Sequence, residues 1–199
     1  MLNKTQTGIM EFFVGRISKK FTIQAVSDSI KKSYPLVHRS IKPLLDKGFI
    51  LKDEHSLLFL NYRENHPTLA YIESLRAEKF LQKHKIVNIF LKDMSKNIKS
   101  NIILLVFGSY IEGKESKGSD IDILAIVEDQ DKVNNLETGL NAIASLFSQK
   151  FDINVISFES VYEMLSKRDE FNVMNEMLNK HIILVGAEQY YRVLKDAIK

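Results

Sequence analysis

Two apolar runs of strand length, residues 102–107 and Ile121–Val127, bracket a loop rich in Gly, Ser and Lys, and this unit constrains the fold more than any other stretch. Continuous apolar runs of five to seven residues between turn residues read as buried strands. Further along, residues 151–158 form a third such segment and Ile182–Val185 a short fourth, followed by Gly186 and a final helical pattern. Between the strands, Val133, Leu136, Leu140, Ile143, Ala144 and Phe147 fall on one face of a helix, and residues 162–179 read as another. Such alternation predicts a small mixed sheet covered by helices.

The bracketed stretch, VFGSYIEGKESKGSDIDILAIV, also concentrates chemistry. Gly108 lets the backbone approach a phosphate closely, and the amides after it open a helix N-terminus suited to an anion. Ser109 offers a hydroxyl to the same oxygens. Asp120 and Asp122 stand two apart at the start of a strand, so both carboxylates project from one face. Hard oxygen donors in that arrangement suit Mg²⁺, which keeps waters and takes substrate phosphates as further ligands. Lys114 and Lys117 lie in the loop and add positive charge toward a phosphate, although a solvated loop position is the competing reading for both. Asp152, in FDINVIS, is the best third carboxylate: with Phe151, Ile153 and Val155 turned to the core, Asp152 and Asn154 face the other way. Glu128, Asp129 and Asp131 are rivals, but they lie past the end of their strand and read as a solvated turn.

Gly-Ser, ten residues, then Asp-x-Asp resembles the signature of the minimal nucleotidyltransferases of the polymerase-β superfamily, and the resemblance covers residues 86–199. It implies transfer of a nucleoside monophosphate, with ATP the expected donor, and release of pyrophosphate. It further implies two Mg²⁺ ions held by Asp120, Asp122 and Asp152, with Gly108, Ser109, Lys114 and Lys117 toward the nucleotide. Minimal members resemble antitoxins that modify a partner toxin on a side-chain hydroxyl, so the implied acceptor is a protein, such as a toxin, or the end of an RNA.

The front of the chain follows a different pattern. Ile9, Phe12, Phe13 and Ile17 give one helix; Thr22 caps a second carrying Ile23, Val26 and Ile30; Pro35 opens a third with Val37, Ile41, Leu44 and Leu45 inward. Pro43 inside that third helix removes a backbone hydrogen bond. Gly48 marks its end, and residues 49–52 and 57–60 form two short strands around a turn at Asp53, Glu54, His55 and Ser56. The order resembles a winged helix-turn-helix, with SYPLVHRSIKPLLDKGFI as recognition helix and wing. It implies DNA contact through Lys31, Lys32, His38, Arg39 and Lys42, while the acidic turn at Asp53 and Glu54 argues for a protein-contact role instead. The expected fold class is α+β: a winged helix domain over residues 1–63, a connecting helix over 64–85 and a nucleotidyltransferase domain over 86–199.

Charge divides along the same line. Residues 1–100 hold 18 Lys and Arg against 9 Asp and Glu, whereas residues 101–199 hold 10 against 16. A basic front suggests a polyanion partner and an acidic back suits a cation site. Cysteine is absent, which excludes disulfides, thiolate metal sites and cysteine nucleophiles. His55, His66, His84 and His181 have no metal-ligand spacing. No apolar run approaches the roughly 18 residues that span a bilayer, and residues 1–8 lack the apolar core of a signal peptide, so a cytoplasmic protein with no membrane partner is expected. A homo-oligomer stays open. So does a second function, a DNA-binding regulator whose rear domain only senses nucleotide.

Overall fold

The structure is a computed structural model that describes residues 2–99, 101–116, 118–167 and 172–198. Three helices open the chain: α1 (Lys4–Val14), α2 (Ile23–Ser29) and α3 (Tyr34–Asp46). Local chemistry sets each start. Asn3 and Gln6 form a reciprocal capping box on α1, the Thr22 hydroxyl accepts from the Ala25 amide on α2, and Pro35 occupies the first turn of α3. Gly48 stops α3: its φ of +68° turns the chain so that the Gly48 and Phe49 amides reach back to the Leu45 and Leu44 carbonyls. The hairpin β1 (Ile50–Lys52) and β2 (Leu58–Leu60) follows, and Phe21 adds a single bridge to Leu58. In its turn, Asp53 Oδ1 accepts from the His55 and Leu57 amides while Oδ2 pairs with Lys20 at 2.9 Å. Asp53 therefore builds the turn and is already neutralised by a neighbour.

Two helices, α4 (His66–Lys83) and α5 (Lys85–Asn97), lead into the rear half and meet at His84. The remaining elements are β3 (Ile103–Phe107), α6 (Ser109–Glu112), β4 (Ile121–Val127), α7 (Val133–Ala144), β5 (Phe151–Ser157), α8 (Phe158–Ser166), α9 (Val173–Met177), β6 (Ile182–Val185) and α10 (Ala187–Ala197). The single helix expected over residues 162–179 is instead α8 and α9: Asn172 caps a new helix by accepting from the Asn175 amide, and residues 168–171 lie outside those described.

The four-stranded sheet runs β5-β4-β3-β6; β4 and β5 are parallel, and the other neighbours antiparallel. Its two faces feed different cores, as the two-residue period of a strand requires. Leu104, Val106, Ile121, Ile123 and Ala125 pack with α5 and α7 residues such as Phe90 and Leu140. Ile103, Leu105, Leu124 and Ile126 face the other way, into a core shared with Tyr190 and Tyr191 of α10, Ile72 of α4, and Phe13, Val37 and Leu60 of the front half. The apolar interior thus runs without interruption from the first three helices to one face of the sheet. At its centre Glu73 of α4 is fully buried, bonded to Arg76 at 2.6 Å and to the Tyr191 hydroxyl at 2.9 Å. No described helix is long and apolar enough to cross a membrane.

Candidate active site

The β3–α6 junction is shaped by what lies across from it. Phe107 and Asp122 are register partners on antiparallel strands, so the chain leaving β3 passes beside the Asp122 side chain. At Gly108 the backbone adopts φ +70°, and a Cβ there would stand 1.9 Å from Asp122 Oδ2. Both facts demand glycine. Ser109 then begins the four-residue helix α6, whose first amides have no partner within the helix, and Gly113 closes it in the left-handed conformation. Beyond it, Ser116 and Ser119 bond reciprocally, amide to hydroxyl at 2.9 Å and amide to carbonyl at 3.0 Å. The loop rests on the α4–α5 break, with Lys83 3.4 Å from Glu115 and the His84 and Tyr110 rings 5.5 Å apart.

The predicted carboxylates come together at the adjoining strand ends. Asp122 of β4 and Asp152 of β5 are direct register partners, both on the sheet face opposite Ile121, Ile123 and Ile153. Parallel neighbours are about 4.8 Å apart, so the two carboxylates stand side by side. Asp122 is half-buried and Asp152 exposed. Burial raises the Asp122 carboxyl above the usual carboxylate range, and the negative charges of Asp152, Asp120 and Glu176 add to the effect. Asp120 sits just before β4 and receives a short hydrogen bond from the Lys150 ammonium.

Two residues join this site that the motif does not name. Lys150 precedes β5 as Asp120 precedes β4, so extending the register of Ile121 with Phe151 sets them opposite each other. Its carbonyl accepts from the Ile121 amide at 3.0 Å, and Gln149 Nε2 donates to the Ser119 carbonyl at 2.6 Å. These bonds hold the entries of β4 and β5 level and so fix Asp122 beside Asp152. The basic residue two before Asp152 was the available signal for Lys150. The negative charge of Glu176, on α9, also acts on Asp122, and nothing local in the sequence announces it.

Whether these residues suit a divalent cation follows from their chemistry. The donors are all carboxylate oxygens, and the burial of Asp122 together with the negative charge around it, which raise its carboxyl, are conditions a hard cation relieves. Among the described residues, however, no three His, Asp or Glu side chains converge tightly enough to enclose an ion as they stand. Asp120 is turned to Lys150 instead. Of the remaining candidates, Lys114 pairs with Glu112 at 2.7 Å, and Lys117 lies outside the described residues. Lys31, Lys32, His38, Arg39 and Lys42 are all exposed, the last three on α3 and the first two in the turn before it.

Comparison with known proteins bears on the rear half. A family model described as polymerase beta, nucleotidyltransferase matches residues 77–168, from the last two turns of α4 to just past α8. The C-terminal part of this α+β chain therefore carries a nucleotidyltransferase domain of the polymerase-β kind. No curated protein matches. Among solved structures, one described as a toxin-antitoxin with AMP-PNP is similar at 20% identity and a TM-score of 0.36, over 56% of this chain and 82% of that one. Another, the Thermotoga maritima IclR, is similar at 14% identity and a TM-score of 0.29, over 53% of this chain and 39% of that one.

Proposed function

We propose that the chain transfers a nucleoside monophosphate from a nucleoside triphosphate, with ATP the expected donor, to a hydroxyl on a protein or RNA acceptor. The observation that carries this reading is the register of Asp122 with Asp152 beside the glycine turn at Gly108 and Ser109. It combines an anion-binding turn with paired carboxylates at one strand end.

In this mechanism the Gly108 turn and the first α6 amides receive the phosphates, and the Ser109 hydroxyl donates to one of their oxygens. Asp120, Asp122 and Asp152 are the residues that would hold Mg²⁺, which when bound would supply positive charge toward the leaving pyrophosphate and the attacking hydroxyl. The hydroxyl oxygen bonds to the α-phosphorus as the bond from that phosphorus to the α–β bridging oxygen breaks, and pyrophosphate departs with the electron pair. Asp152, exposed beside the half-buried Asp122, takes the hydroxyl proton and passes it to water. Lys150 keeps the two strand entries level.

An antitoxin role, with the acceptor a side-chain hydroxyl of a partner toxin, follows from the likeness of minimal nucleotidyltransferases to such proteins. A second reading draws on the front half: five exposed basic or imidazole side chains on and before α3 favour a winged helix domain that contacts DNA, with the rear domain sensing nucleotide. Incubation with α-labelled nucleoside triphosphates, Mg²⁺ and cell extract separates the two. Label covalently attached to protein or RNA supports transfer and identifies base and acceptor. Tight nucleotide binding with no covalent label supports sensing.

A further inference from the structure

A cavity of about 510 Å³ lies where residues 15–19, α4, α6 and residues 179–181 meet, and half of its lining residues are cationic. Arg16, Lys19, Arg76, Lys114 and Lys180 face it, against a single lining carboxylate, Glu112. Buried Glu73 neutralises Arg76, and Glu112 sits between Lys114 and Lys180, whose hydrogen bonds hold its carboxyl down at about 2. Arg16 and Lys19 have no acidic partner among the described residues. Arg16 is half-buried, with Nη1 bonded to the Phe12 carbonyl at 3.0 Å and its guanidinium 4.3 Å from the Phe12 ring. Burial, and then the charge of Arg76, weaken its hold on its proton. That is the electrostatic condition of a site short of an anion.

The cavity is also rigidly framed. The Ile17 amide bonds to the Leu178 carbonyl at 2.8 Å, the Ser18 amide to Asn179 Oδ1 at 3.2 Å, and Asn179 Nδ2 to Ser18 Oγ at 2.6 Å. These contacts lock the segment bearing Arg16 and Lys19 to the one bearing Lys180. Arg76 donates to the His181 carbonyl at 2.7 Å and ties α4 to the same point. The segments that carry the cations are therefore fixed relative to one another before any ligand arrives, which lowers the cost of binding.

We infer that this cavity is a phosphate-binding site in which Arg16, Lys19 and Lys180 hold the phosphate groups of a nucleotide strand or of a free polyphosphate. Arg16 supplies a planar fork that matches two phosphate oxygens, and the lysines supply movable point charges. Ile111 and Glu112 line the cavity, so α6 separates it from Ser109 by one short helix, about 6 Å long. A strand seated there has its next nucleotide within reach of the carboxylate site. The inference needs only the cavity and stands apart from whether transfer occurs.

Calorimetric titration of the intact chain tests it, with sodium triphosphate in one arm and a short 5′-phosphorylated single-stranded RNA in the other, both in EDTA. Without a divalent cation the carboxylate site repels anions, so binding reports the cavity. Both probes are expected to bind, the RNA with a salt slope of about 0.7 per phosphate engaged. K19Q/K180Q should weaken binding at least about tenfold with an unchanged melting temperature, because both side chains are exposed. E112Q should tighten it, and D122N should leave it unchanged. RNA binding that free triphosphate fails to displace assigns the site to a strand; equal competition assigns it to phosphate itself. No binding of either probe at low salt, or binding indifferent to K19Q/K180Q, overturns the inference.

Discussion

Gly108 and Asp122 interlock: the Gly108 backbone lies so close to the Asp122 carboxylate that a methyl group on Gly108 would overlap Oδ2. Gly108→Ala therefore both strains a backbone at φ +70° and displaces a carboxylate. The expected cost is about 1–3 kcal/mol of stability with loss of transfer by at least about a hundredfold. Adding Asp122→Ala to Gly108→Ala should destabilise less than the sum of the single changes, because the clash is then relieved. Denaturant unfolding of the wild type and the three variants checks this; strict additivity would mean that the two residues do not touch.

Asp122→Asn should abolish transfer while raising, or leaving unchanged, the melting temperature measured without divalent cation. The folded state raises the Asp122 pKa, so it binds that proton more tightly than the unfolded chain does. Its contribution is therefore present at low pH and is lost as pH rises above the ordinary carboxylate value of about 4. Melting curves across that window should show a smaller decline for the variant. Wild-type turnover by Asp122→Asn would remove this carboxylate from the mechanism.

Asp152→Ala should depress turnover more than triphosphate binding, since the proposed task of Asp152 concerns the attacking hydroxyl. Single-turnover kinetics paired with equilibrium binding separate the two. Weakened triphosphate binding at normal turnover is the contrary result.

Glu73 answers to acid with the opposite sign. Burial pushes its carboxyl up, but Arg76, His181 and Tyr191 together bring it below the usual value. Its contribution is present above the ordinary value of about 4.3 and is lost as pH falls through the lower folded one. Glu73→Gln leaves the Arg76 guanidinium without its anion, at an expected cost of about 3–5 kcal/mol. The variant should also lose less stability than wild type on acidification. Urea unfolding at pH 7 and pH 3.5 provides the comparison.

If the front half contacts DNA, Lys31→Gln with Lys32→Gln should flatten the slope of log affinity against log salt by about 1.8. His38 and Arg39 variants should change sequence preference instead. Pooled duplexes titrated onto the intact chain across a salt series give both readings. Absence of binding at low salt leaves a protein-contact surface as the role of α3.

Period and punctuation made much of this molecule legible. The runs around Gly108 became β3 and β4, Thr22 and Pro35 opened their helices, and alternation in FDINVIS placed Asp152 on the Asp122 face. Those features are local, and local sequence reports them. What escaped was tertiary: the charge of Glu176 on α9 acts on Asp122 across a long stretch of chain, and the α8–α9 division depends on an Asn172 cap. Arg16 and Lys180 lie far apart in sequence and share a cavity only through the bonds between residues 17–18 and 178–179. Asp53 read as a free acid because its partner Lys20 lies across a tertiary contact.

The single interior that joins α1–α3 to the sheet bears on how such a chain can be cut, swapped or inherited. Tandem domains on a flexible tether can be exchanged as cassettes, each bringing its own stability. Here a break near residue 63 would strip Phe13, Val37 and Leu60 from the face that Tyr190 and Leu105 present, leaving each fragment with a wet apolar wall. The front half is thus fixed to the sheet without a hinge, and a partner that grips it takes hold of the rear half in the same motion.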